Sequence, residues 1–226
     1  KKRSSSCLQK SSLLGPEYNR DEVKSFLETY GCTYKKLKKS ERSHILSEIL
    51  IEGKVLGHFS GRMEFGPRAL GNRSILGDAR DKKTQVTLNK KIKYRESFRP
   101  FAPSVLIEKV GKFFDFNQES PYMLFVCGVK DSIKKPLEPS TNTDILEIVQ
   151  EKRSNIPAVT HIDYSARIQT VNKHDNLKYY DLIFNFEQKT GVGVIVNTSF
   201  NVRGEPIICT PFDAYSCFMR TDMDYL

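Results

Sequence analysis

Apolar residues recur at helical spacing in some stretches of this chain and in strand-length runs in others. Val23, Phe26, Leu27 and Tyr30 follow the i, i+3, i+4, i+7 pattern. That predicts an amphipathic helix begun at Asn19 or Asp21 and stopped by Gly31. A second helix is predicted from Ser40 to Gly53, burying Ile45, Leu46, Ile49 and Leu50. Residues 55–59 read as a strand, 84–92 as a helix and 102–107 as a strand. The unbroken apolar run over 123–129 predicts a strand covered on both faces, and 192–196 predicts a second one. Strands are also expected at 158–161 and 167–171, with helices at 177–186 and, after Pro211, at 212–219. Residues 131–156 are polar and carry Pro136 and Pro139; they read as an excursion with a helical turn or two near 145–149. Strands and helices alternate irregularly, so the fold class expected is α/β or α+β around a mixed sheet.

Composition narrows this picture. The chain has 226 residues, 38% of them hydrophobic and 14 of them Phe, enough for a substantial core. No apolar run approaches the ~20 residues that span a bilayer. The opening Lys1-Lys2-Arg3-Ser4-Ser5-Ser6-Cys7 does not lead into the apolar stretch of a signal peptide. A soluble, cytoplasmic protein without a membrane partner is the expectation. The Ser-rich, basic residues 1–20 read as a linker or the remnant of an upstream domain, and 21–226 as one domain of a longer protein. Five cysteines, an odd number without a C-x-x-C pair, argue against a disulfide framework and a zinc site. Cys127 and Cys217 lie in apolar stretches and read as small core residues. His44, His58, His161 and His174 lack metal-ligand spacing, so no protein-built transition-metal site is predicted.

Charge is distributed unevenly. The net charge is +9, yet residues 61–100 alone hold 11 Lys and Arg against 4 Asp and Glu. In that stretch Arg62, Arg68, Arg73, Arg80, Arg95 and Arg99 sit among Gly and Pro, which disfavour a long helix. Arginine on a turn-rich backbone suits bidentate capture of phosphate or carboxylate. The structural alternative is an ion-pair hub. Downstream, Asn197-Thr198-Ser199-Phe200-Asn201 follows the predicted strand over 192–196, where open α/β sheets bind ligands; an ordinary turn is the alternative. Ser165, Arg167 and Gln169 share a face if their segment is extended, on a binding strand or on a solvent-facing edge. No P-loop, nucleophile elbow or G-x-G-x-x-G is present. A site built from Arg, Lys, Ser and Asn stabilises negative charge instead of shuttling protons.

Four segments carry a family resemblance. They are Gly61-Arg62-Met63-Glu64-Phe65-Gly66-Pro67-Arg68-Ala69-Leu70-Gly71-Asn72-Arg73, then Lys93-Tyr94-Arg95-Glu96-Ser97-Phe98-Arg99-Pro100-Phe101-Ala102-Pro103, then residues 161–171 and 197–210. In this order they closely resemble the C-terminal half of NodU/CmcH-type O-carbamoyltransferases, from about Leu14 to the end. The resemblance implies a YrdC-like domain: a twisted mixed sheet flanked by helices, with a basic concave face. It also implies formation of carbamoyl-adenylate from carbamoyl phosphate and ATP, with Mg²⁺ arriving on the nucleotide. A Kae1-like N-terminal domain, which nothing in this chain matches, would pass the carbamoyl group to an acceptor hydroxyl. Carried over by motif, Arg68 and Lys93 would hold the carbamoyl and phosphate groups, with Arg99 close by. Arg167, Asn197 and Ser199 would bind the nucleotide phosphates, supported by Arg62 and Arg203. Two departures stand out: Gly77-Asp78-Ala79-Arg80 replaces the more usual Ala-Asp-Pro-Arg, and Phe212 follows Pro211 where an acidic residue is common. Two other readings remain, an RNA-binding module of YrdC-like fold and a relative of the threonylcarbamoyl-adenylate synthases. Few stacking aromatics beyond Phe65, Tyr94 and Phe98 interleave the basic patch, which disfavours nucleic acid. The motifs favour carbamoyl phosphate over bicarbonate and threonine.

Overall fold

The computed structural model describes residues 11–96, 99–135 and 151–226. Helices α1 (Arg20–Thr29) and α2 (Arg42–Ile51) precede strands β1 (Leu56–Phe59) and β2 (Arg73–Asp78). Helix α3 (Lys82–Thr87) runs into a π-helical turn, Leu88–Ile92, before β3 (Ala102–Leu106). Then come α4 (Val110–Phe113), β4 (Phe125–Gly128), β5 (Ser165–Val171), α5 (Leu177–Thr190), β6 (Val194–Ser199) and α6 (Pro211–Met219). The ends of the helices follow from local chemistry. Asn19 caps α1 reciprocally with Glu22, and Thr210 caps α6 with Asp213 just before Pro211. Gly191 ends α5 in the left-handed conformation that favours glycine.

The strands form one mixed sheet in the order β1-β2-β6-β3-β5-β4. Only β3 and β5 run parallel; the other neighbours are antiparallel. This is the expected mixed α/β architecture. Leu50 of α2 and Leu182, Ile183 and Phe186 of α5 pack on one face, against Leu76, Leu106 and Ile195. Leu88, Ile92, Phe113, Phe200, Ala214 and Cys217 pack on the other, against Ile75, Val105 and Val196. Residues 11–17, inside the stretch expected as a linker, run alongside the arginine-rich loop. Gly15 N donates to Met63 O, Met63 N to Pro16 O and Phe65 N to Ser12 O. Among the described residues no helix is long and apolar enough to cross a membrane.

Several expectations change. The apolar run over 123–129 is not a strand covered on both faces: β4 is the sheet edge, with Leu124 69% and Val126 63% exposed. Cys127 is therefore half-buried at that edge, whereas Cys217 is fully buried as expected. Residues 158–161 do not form a strand; Pro157–Val159 is a buried 3₁₀ turn, as a proline-led segment without ladder partners allows. Asn197, Thr198 and Ser199 lie inside β6, not beyond it. β5 is internal, not an edge. β2 has no counterpart among the predicted strands because Arg73, Ser74, Gly77 and Asp78 break any apolar pattern, yet all six of its residues are buried. The helical turn expected near 145–149 lies outside the described residues.

Candidate active site

The arginine-rich loop, residues 60–72, is held over the sheet by buried polar side chains. Glu64 is only 4% exposed, and its Oε1 accepts from Leu70 N at 2.7 Å, Asn72 N at 2.7 Å and Arg73 N at 3.4 Å. Gln169 Nε2 of β5 donates to Leu70 O at 2.8 Å, and Asn197 Nδ2 of β6 donates to Ala69 O at 3.3 Å. Those two side chains join each other at 2.8 Å and both meet Ser104 Oγ of β3, to which the buried Tyr179 hydroxyl of α5 donates. Gly71 fits here because a Cβ would stand 2.4 Å from the Tyr179 ring, and its φ of +116° favours glycine anyway. Gly71 N donates to Ser74 Oγ, and Gly71 O meets His58 Nδ1. Burial holds the His58 imidazole down to about 4, so it is a neutral partner at physiological pH.

Pinning both limbs leaves residues 65–68 exposed at the tip. Arg68 lies there without a hydrogen bond or ion pair to any other described residue. Its charge reaches Arg167 of β5, whose pKa is lowered mainly by burial and then by Arg68. Among the described residues the Arg167 Nη2 hydrogen-bonds only to Met123 Sδ, at 3.8 Å, and its buried Nε has no hydrogen-bond partner.

A second cationic group opens beside the end of β6. Lys93, Arg95, Arg99 and Arg203 line a pocket of about 250 Å³ with Thr198 and Ser199. Asn89, in the π-helical turn, shapes this group: its Oδ1 accepts from Arg95 Nε at 2.6 Å and its Nδ2 donates to Arg99 O at 2.8 Å. Arg95 also lies over the Phe101 ring at 4.8 Å. Arg99 pairs with Glu96 at 3.1 Å, both about half exposed to water.

Lys93 is 5% exposed and donates to Ser199 O, to Asn201 Oδ1 at 2.8 Å and to Asn201 O at 2.9 Å. Burial, with the nearby Arg95 charge second, pushes this ammonium down to about 7, while the surrounding oxygens favour the charged form. An anion in the pocket adds to that favour. Binding of sulfate, an anion that does not itself titrate in this range, is therefore expected to take up more protons at pH 8 than at pH 6. Calorimetry in buffers of different ionisation enthalpy measures this; no uptake at pH 8 would mean that Lys93 stays charged throughout.

The sheet register relates the two groups. Ala102 faces Asn197 across β3 and β6, and Ser104 faces Gln169 across β3 and β5. Two residues back along the parallel pair, Arg167 comes level with Asn197, two strand spacings or about 10 Å away. The structure thus joins Arg68 with Arg167, and Lys93 with Arg99, Ser199 and Arg203, at one end of the sheet. It separates out Asn197, which is 1% exposed and ties the loop from below, and Arg62, which reaches Glu17 at 3.8 Å and Gly15 O at 3.4 Å. Arg73 and Arg80 fill the structural role foreseen as the alternative. Arg80 pairs with Asp78 at 2.6 Å, and Arg73 is enclosed by backbone carbonyls.

The sequence profile described as "Carbamoyltransferase C-terminus" matches residues 47–226. The chain belongs to this carbamoyltransferase C-terminal family. It is 53% identical over 95% of its length to the uncharacterized protein sll1178 of Synechocystis. It is 43% identical over 80% of its length to the nodulation protein NolNO of Sinorhizobium fredii. A 3'-hydroxymethylcephem-O-carbamoyltransferase of Amycolatopsis lactamdurans is 40% identical over 72% of the chain. The aligned parts cover 35%, 24% and 27% of these relatives, so the chain spans about a third or less of their length. This is a NodU/CmcH-type C-terminal domain.

Within the carbamoyltransferase C-terminal domain, Glu64, Ser104, Tyr179 and Asn89 support the cations without having been assigned a role from sequence, whereas Gln169 stood out there for sharing a face with Arg167. One signal was available for Glu64, an acid alone between Gly61 and Gly71 in a segment whose other charges are all basic. Tyr179 and Ser104 gave none, because they act through partners 65 to 93 residues away.

Proposed function

We propose that this domain makes carbamoyl-adenylate from carbamoyl phosphate and ATP, as part of a longer O-carbamoyltransferase. The observation that carries the reading is the pair Arg68 and Arg167: one exposed and unpartnered, the other half-buried, with no carboxylate bridging them among the described residues. Two guanidinium groups held near each other repel, and a dianion between them converts that repulsion into attraction. Carbamoyl phosphate is such a dianion. The adjoining pocket of Lys93, Arg95, Arg99 and Arg203 suits the longer chain of charges in a nucleotide triphosphate.

In this reading water attacks the carbamoyl carbon beside Arg68 and Arg167, the bond from that carbon to the phosphate oxygen breaks, and carbamate and hydrogen phosphate form with one proton released to solvent. The carbamate oxygen then attacks the α-phosphorus of ATP, the bond to the β-phosphate oxygen breaks and pyrophosphate leaves. Both partners are anions, so their approach depends on positioning and on neutralisation by fixed cations. Arg68 and Arg167 screen the nucleophile, while Lys93, Arg99 and Arg203, with the Ser199 hydroxyl, hold the leaving phosphates. Asn197 acts from beneath by carrying the Ala69 carbonyl. Mg²⁺ on the nucleotide supplies further charge neutralisation; among the described residues no three His, Cys, Asp or Glu side chains gather to hold it independently. The carbamoyl group then passes to an acceptor hydroxyl in an upstream Kae1-like domain.

The test is pyrophosphate release by the purified chain with ATP and Mg²⁺, with and without carbamoyl phosphate. Release that depends on carbamoyl phosphate supports the half-reaction. Release independent of it, or none from a chain that binds ATP, would sink it.

A further inference from the structure

We infer that Glu64 is a positioning residue for Arg68: its buried carboxylate clamps the two limbs of the loop and so sets where the Arg68 guanidinium stands. The inference rests on the proposed role of Arg68 in holding carbamoyl phosphate. The exposed tip lies between the buried Glu64 and the buried Ala69 and Leu70, and one Glu64 oxygen, Oε1, gathers the backbone N–H groups of Leu70, Asn72 and Arg73. Arg68 lies between the two ends of that clamp. A backbone segment with two glycines at positive φ, Gly66 and Gly71, has no stiffness of its own to hold such a tip.

A carboxylate suits this task better than an amide. It presents no donor, and bonds from N–H to an anion are stronger than those to a neutral carbonyl. Glu64 is 4% exposed and makes no ion pair; the buried Arg73 guanidinium supplies an opposing charge without a hydrogen bond or ion pair to it. Glu64 Oε2 is buried without a partner among the described residues. The NH₂ group of a glutamine would have to occupy one of these two buried oxygen positions. At Oε1 it would face three donors, and at Oε2 it would find no acceptor.

The experiment compares carbamoyl phosphate binding by calorimetry in the full chain and in Glu64→Gln, Arg68→Ala and the double variant. Each single variant is expected to bind about tenfold more weakly. The double variant is expected to match Arg68→Ala, because Glu64 acts only through that side chain. ATP affinity should stay within about twofold in Glu64→Gln. A merely structural carboxylate would instead lower ATP and carbamoyl phosphate affinity together and add to the Arg68 loss near a hundredfold; either result overturns the inference. If Arg68→Ala itself binds normally, the proposed role of Arg68 has failed. Should Glu64→Gln not fold, hydrogen exchange on the unaltered chain decides. Slow exchange at the Leu70 and Asn72 amides supports the clamp, and exchange as fast as at the exposed Gly66 amide overturns it.

Discussion

Arg68→Ala is expected to lower carbamoyl-phosphate-dependent pyrophosphate release by at least about a hundredfold while leaving the fold intact. The magnitude follows from the loss of a preorganised cation at a site of developing negative charge, where single donors contribute factors of about 10² to 10³. The intact fold follows from geometry. Arg68 is exposed and has no hydrogen bond or ion pair to another described residue, so its removal leaves nothing unsatisfied. Substitutions of that kind change stability by about 0.5 kcal/mol or less. Its absence even relieves a like charge on Arg167. Kinetic assay and urea denaturation of the same preparation test both halves. A variant that unfolds would make Arg68 structural; one that retains full activity would remove it from the mechanism.

Arg73→Met is expected to do the reverse and cost about 3 kcal/mol of stability. Arg73 is fully buried with its guanidinium 3.7 Å above the centre of the Phe59 ring. Its Nη1 donates to Ser60 O, Gly61 O and Asn72 O, and its Nη2 to Pro16 O. Methionine keeps much of the length and the contact with Phe59 but donates nothing. Ser60 O and Gly61 O then lose this donor, Pro16 O and Asn72 O keep only Met63 N and Ser60 N, and the Glu64 carboxylate loses an opposing charge. Removing one member of a buried charged arrangement typically costs about 3–5 kcal/mol, far above the effect of an exposed arginine. In urea the midpoint should fall by about 1–2 M with an unchanged slope. A shift within error would mean that the bonds to Pro16, Ser60, Gly61 and Asn72 contribute little. The two arginines stand five positions apart in one motif, yet one is expected to govern catalysis and the other stability.

Much of the local structure was legible along the chain. The i, i+3, i+4, i+7 pattern and the Asn19 cap located α1, and Pro211 located the start of α6. These features rest on groups within one turn of each other, so short-range spacing carries the information. The apolar run over 123–129 misled for a related reason. Composition shows that a strand is apolar on both sides but not whether a neighbour covers it, and the sheet ends at β4. β2 was hidden because its polar side chains are answered by residues that sequence patterns do not connect to it. Arg73 reaches Pro16, 57 positions away, and Ser74 takes the Gly71 amide only once the loop has folded back.

The sequence by itself determined that positive charge gathers between residues 61 and 100, on arginines set in turn-forming backbone, beside a sheet of mixed direction. Side-chain chemistry and backbone propensity are local properties, and they survive without the fold. Only the tertiary structure decided which cations face a ligand. Arg73 and Arg80 satisfy carbonyls and Asp78, Lys93 spans 106 positions to reach Ser199, and Arg68 is left without a partner beside Arg167. A guanidinium is free or bound according to what the folded chain brings within about 4 Å of it, and that is set by sheet register and loop closure.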